Sequence, residues 1–148
     1  NEPLNRSDMI QIKSYLDAHR MVALQKQGRH ALLETWLVAY STVPDLGQYI
    51  LSPALHGDLT LYWAALAMWW ARASGEAVFA PTNIAAIYIL DEPEHKTSPE
   101  DFATMCREIK VVVGTTYPLA TILIGGGSTA LQSGLTAFGT SVDWVGFD

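Results

Sequence analysis

Apolar residues recur along this chain in two rhythms, one helical and one of short unbroken runs. From Ser7 to about His19, Met9, Ile12 and Leu16 share one helical face while Gln11, Lys13 and Ser14 turn away, and Ser7 is placed to cap the start. Met21-Val22-Ala23-Leu24 follows at once and reads as a short buried strand ending at Gln25. His30 to Tyr40 returns to helical spacing through Leu33, Trp36, Leu37 and Tyr40. Pro44, Gly47, Pro53 and Gly57 then punctuate a long loop in the section from Lys26 to Asp58, and loops of that length are usually functional or inserted. Leu61 to Arg72 is a helix apolar nearly all round, which needs burial on more than one face.

The stretch Ile84 to Leu90 organises what remains. It is apolar without alternation and β-branched at Ile84, Ile87 and Ile89, as in a strand buried on both faces of a parallel sheet. Asp91, Glu92 and Glu94 arrive at its carboxyl end, wrapped around Pro93, which cannot donate to a ladder and should push Glu92 into an extended conformation. Ser98-Pro99-Glu100-Asp101 is a helix start, and that helix presents Phe102, Met105, Cys106, Ile109 and Val113 inward. A third strand, Ala120 to Ile124, breaks at Gly125-Gly126-Gly127-Ser128. A helix over Thr129 to Phe138 leads to a last strand, Val142 to Phe147.

Helix and strand thus alternate four times, which predicts an α/β domain spanning 1–148, with four parallel strands and right-handed crossovers. The fold class expected is a partial (β/α)8 TIM-type barrel, with an open doubly wound sheet as the alternative. Four strands cannot close such a barrel, so bare edges imply a partner: a second copy (a homo-oligomer) or the remainder of a barrel.

Composition narrows the functional classes. Of 148 residues, 49% are hydrophobic and only 16% charged, which excludes disorder and suggests a surface that meets something. A net charge of −6 with scattered Lys and Arg argues against nucleic acid. The apolar run in Leu61–Ala71 is well short of the roughly 20 residues that cross a bilayer, so no membrane span is expected. Cys106 stands alone and reads as an inert core thiol. Asn1-Glu2-Pro3 does not open a signal peptide, and a secreted protein whose signal had been removed would read the same way. The four histidines show no paired ligand spacing, so no metal site is expected, and no motif asks for a cofactor.

Three pieces together resemble the middle of a (β/α)8-barrel glycoside hydrolase of clan A. His19-Arg20-Met21-Val22-Ala23-Leu24-Gln25 resembles the passage into the third barrel strand. Ile87-Tyr88-Ile89-Leu90-Asp91-Glu92-Pro93 resembles the fourth, and Val142-Asp143-Trp144-Val145-Gly146-Phe147-Asp148 the sixth. The resemblance implies that Glu92 is the acid/base, protonating the departing oxygen of a carbohydrate. Asp91 stands where the family carries an Asn that touches a substrate hydroxyl. The family's nucleophile sits on a seventh strand that this chain does not contain. Gln25, Trp36, Tyr40, Glu94 and Asp148 are the expected substrate contacts, Trp36 and Tyr40 as stacking platforms.

Rival accounts exist for each signal. Acids at a strand end can serve solubility alone, and Asp148 at a chain end can fray. Apolar strand plus Asp-Glu-Pro also resembles the magnesium- and water-ordering segment of ABC-type ATPases, but the Gly-rich loop ending in Lys-Ser or Lys-Thr is absent. Gly125–Ser128 could cradle phosphate, although a βα turn is the favoured account. Trp63, Trp69 and Trp70 lie mid-helix and read as packing residues. A truncated barrel that binds sugar or assembles without chemistry is the competing class to the hydrolase.

Overall fold

The computed structural model describes residues 5–42, 49–124 and 127–148. Pro44 and Gly47 of the expected loop, and Gly125 and Gly126 of the expected glycine turn, lie outside the described residues. Four strands form one parallel sheet: β1 (Ala31–Glu34), β4 (Ile84–Asp91), β5 (Leu119–Leu123) and β6 (Trp144–Phe147), in that spatial order. Two short strands, β2 (Tyr40–Thr42) and β3 (Ile50–Leu51), pair antiparallel apart from it. The helices are α1 (Arg6–Lys26), the single turn α2 (Trp36–Ala39), α3 (Leu55–Ser74), α4 (Pro99–Val113) and α5 (Ser128–Ala137).

The α/β class and the parallel sheet agree with the sequence, but its first strand does not lie at Met21–Leu24. Helix α1 runs straight through that segment, because Ile10, Ser14, Ala18, Met21 and Val22 continue one buried helical stripe. A short apolar run has no periodicity of its own to separate the two cases. Asn5, rather than Ser7, caps the helix through its side chain on the Asp8 amide, at 2.8 Å. The strand is Ala31–Glu34 instead, with Ala31 and Leu33 buried and Leu32 and Glu34 exposed. The helix expected over His30 to Tyr40 is therefore reduced to the single turn α2; the expected loop after it carries β3, and α3 begins at Leu55, so Gly57 lies inside the helix. Gly75 at φ 79° closes α3 in the left-handed conformation that its lack of Cβ permits.

Two faces of the sheet have different fates. Leu33, Ile87 and Leu119 face one another across three strands and are sealed in the core with Trp70, Phe102, Met105 and Ile109. The neighbouring row, Glu34–Tyr88–Ala120–Trp144, crosses the other face and is open: Trp144 is 54% exposed and Leu32, one row below, 44%. Helix α4 forms as expected, with the Ser98 hydroxyl accepting from the Asp101 amide and Phe102, Met105, Cys106 and Ile109 buried. Burial pushes the Cys106 thiol up to about 12, so it stays protonated. Trp70 is fully buried, and Trp63 packs edge-on against Phe79 and Tyr117. No helix among the described residues is long and apolar enough to cross a membrane.

Candidate functional site

Parallel strands place their carboxyl ends on one rim, and here the acids collect there. Glu34 ends β1, Asp91 ends β4, Glu92 follows it, and Asp148 follows β6. The backbone fixes this rim tightly. The Thr35 amide and hydroxyl both donate to the Tyr88 carbonyl, each at 3.1 Å, tying the end of β1 to β4. The buried Thr121 hydroxyl donates to the Leu90 carbonyl at 2.6 Å, where the β4–β5 ladder shifts register between Tyr88 and Asp91. The Glu92 amide donates to the Ile122 carbonyl at 2.9 Å, and the Asp148 amide to the Leu123 carbonyl at 3.1 Å.

Glu92 departs from the expected extended conformation. It sits at φ 50°, ψ 59°, alone among the described non-glycine residues at positive φ, and starts a single 3-10 turn, Pro93–His95. A side chain in that region costs on the order of 1–2 kcal/mol. Such strain concentrates at functional sites. Lys96 holds the turn by donating to the Asp91 carbonyl at 2.6 Å. Replacing the strained residue by Glu92→Gly is therefore expected to stabilise the fold by about 1 kcal/mol in a urea titration. An unchanged or lowered midpoint would show that the surroundings, not the backbone, set the conformation.

The rim is electrostatically crowded. Glu92 is held above its ordinary pKa first of all by its interaction with the Asp148 carboxyl; desolvation and the like charge of Asp91 add to it. Tyr88 donates its hydroxyl to Asp91 Oδ1 at 2.9 Å. Burial, that bond to Asp91, and the charges of Asp91, Asp148 and Glu34 all hold the phenol well above its ordinary range. Trp36 meets the Tyr88 ring edge-on, with centroids 5.4 Å apart.

The raised Glu92 pKa has a thermodynamic consequence with a definite sign. The folded state binds this proton more tightly than the unfolded chain, so the stabilisation is complete below the unfolded value of about 4.3. It is lost as pH rises through the higher folded value. Asp148→Asn is expected to flatten that fall, measured as urea midpoints across the acid range; a slope identical to the parent's would contradict the pairing.

Of the residues expected from sequence, the structure brings Asp91, Glu92 and Asp148 to one rim and sets Trp36 beside them. It does not bring the others. Gln25 belongs to the last turn of α1, whose neighbouring Met21 carbonyl accepts from Asn83, just before β4, so Gln25 lies toward the opposite rim. Tyr40 is 1% exposed and packs edge-on against Tyr49; burial raises its phenol to about 12, and it offers no face to a sugar. Glu94 turns away from the rim to accept from the Ile124 amide at 2.8 Å. Glu34 and Tyr88 were missed. The signal for Glu34 was present as Ala31-Leu32-Leu33-Glu34, a short apolar run ending in an acid, hidden by helical spacing that spans the same residues. Among the described residues no group of three His, Cys, Asp or Glu side chains is arranged to hold a metal ion.

Set against protein-family models, curated proteins and solved structures, the chain matches none of them.

Proposed function

We propose that the rim is a glycoside hydrolase-like site in which Glu92 donates the proton that lets a sugar's leaving oxygen depart. The observation that carries this reading is the Glu92 carboxyl itself: displayed at the carboxyl ends of parallel strands, held in strained backbone, and with its pKa raised by a neighbouring carboxyl. Asp91, already engaged by Tyr88, is the group that grips a substrate hydroxyl, and Trp36 supplies an aromatic wall.

Asp148 is the tuner of that proton and not the second catalytic group. Paired glycosidase carboxyls stand roughly 5 to 9.5 Å apart, leaving room for substrate between them, whereas Asp148 interacts with Glu92 directly. The attacking carboxylate is then another group, on this rim or from outside these four strands. A sheet whose spatial order follows chain order, with no reversal, with edges at β1 and β6 that pair with no further strand among the described residues, and with an open face bearing Leu32 and Trp144, fits part of a (β/α)8-type barrel. Further strands or a second copy would complete it. Reversal of strand order marks the doubly wound alternative, and none occurs among the described strands.

The close Glu92–Asp148 contact also favours a second reading, a non-catalytic carbohydrate-binding or assembly module. An ABC-type ATPase fragment is disfavoured because no Gly-rich loop ending in Lys-Ser or Lys-Thr is present to cradle phosphates. A panel of aryl glycosides, assayed with the chain and with Glu92→Gln, separates the first two. Turnover that depends on Glu92 supports the hydrolase; equal background rates in both forms support the binding module.

A further inference from the structure

We propose a second site, independent of the rim: the cleft between the turn after β4 and helix α5 binds a primary ammonium carried on an apolar skeleton, with Glu94 as its counter-ion. The cleft encloses about 380 Å³, and Ile124, Ala130, Ala137 and Phe138 give it apolar walls. Glu94, His95 and Ser133 are its polar lining, and Glu94 is its one carboxylate. One carboxylate oxygen, Oε2, accepts from the Ile124 amide at 2.8 Å. The other, Oε1, is buried and finds no hydrogen-bond partner among the described residues. No cation among them pairs with Glu94. An acceptor buried in that state is costly until a donor reaches it, and a charged donor satisfies it best.

Helix α5 is shaped to leave that room. Gly134 sits inside the helix, where glycine is less favourable than alanine. A Cβ there would already stand in contact, at 3.4 Å, with both Glu94 Oε2 and Leu123 Cδ1, so any longer side chain would enter the cleft. A larger residue would occupy the space where the apolar skeleton lies. Apolar walls with one unpaired anion discriminate in a fixed order: ammonium over alcohol, and alcohol over carboxylate.

The probes are cyclohexylammonium, cyclohexanol and cyclohexanecarboxylate, titrated into the whole chain while following its melting temperature and its methyl NMR spectrum. Cyclohexylammonium is expected to raise Tm saturably and to shift the Ile124, Ala130 and Ala137 methyls, with the carboxylate doing neither. Glu94→Gln keeps an oxygen for the Ile124 amide but turns the orphan acceptor into a donor, and should weaken the ammonium by about tenfold or more. Gly134→Leu should abolish binding of the ammonium and the alcohol, while Glu92→Gln, on the acidic rim, should leave ammonium binding in the cleft unchanged. The proposal is overturned if no probe moves those methyls, if cyclohexanecarboxylate binds as well as the ammonium, or if Glu94→Gln binds the ammonium like the parent. The methyl shifts in the parent chain decide the matter even if a variant fails to fold.

Discussion

Glu92→Gln is expected to lower aryl-glycoside hydrolysis by about 10²- to 10⁴-fold, the usual contribution of a positioned general acid. Glutamine preserves the size of the side chain and its place on the rim, but it has no proton to give. The loss should depend on the leaving group. Substrates releasing a basic alkoxide or phenoxide need protonation and suffer most; substrates releasing a strongly acidic phenol need little and suffer least. A purely structural role for residue 92 would slow both alike. The parent's rate should also fall as pH rises through the raised Glu92 value, since only the protonated carboxyl is competent. Asp148→Asn should shift that falling limb toward lower pH, because an amide no longer competes for the negative charge and can donate to it.

The largest effect on stability is expected far from the rim, at Asp17. Its carboxylate accepts from Lys13 at 2.6 Å and from the Tyr62 hydroxyl at 2.7 Å, between α1 and α3, with the Lys13 and Asp17 side chains only 14% and 13% exposed. Asp17→Ala leaves a largely buried ammonium and a fully buried hydroxyl without their acceptor, and should cost about 3 kcal/mol in a urea titration. Ser14, one turn away, links the same helices by donating to the Ile10 and Tyr62 carbonyls. The matching variant Lys13→Met with Asp17→Leu removes both charges together and should recover the part of the loss due to the stranded ammonium, leaving the part due to the Tyr62 hydroxyl. A loss under about 1 kcal/mol for Asp17→Ala would mean that water reaches Lys13 and replaces the carboxylate.

How much of this was legible in the residues depends on the length of each signal. The strand at Ile84 was readable because eight consecutive residues keep its character to Asp91, and α4 because its cap, proline and acids agree with a strong apolar face. Met21–Leu24 was misread because four apolar residues suit either a strand or the last turns of a helix, and the tie was broken by the stripe they share with Ile10, Ser14 and Ala18. That one error displaced the first strand, and with it Gln25 for Glu34 as the residue at the rim. The resemblance of residues 19–25 to the entry into a barrel strand fails for the same reason. Tyr40 could not be placed from sequence, since whether an aromatic beside a loop faces a ligand or the core is decided by tertiary packing. The left-handed backbone of Glu92 was equally hidden, because the preceding-proline preference points to extended backbone and only the turn into Lys96 overrides it.

The central claim is that Glu92 holds a proton at the carboxyl rim because Asp148 shares it. Carbon-13 NMR of the side-chain carboxyl, followed through an acid titration in the parent and in Asp148→Asn, reads that proton directly. The account requires Glu92 to titrate above the ordinary glutamate range in the parent and to fall back toward it in the variant. A parent Glu92 with an ordinary glutamate midpoint, or one that Asp148→Asn leaves where it was, would contradict it.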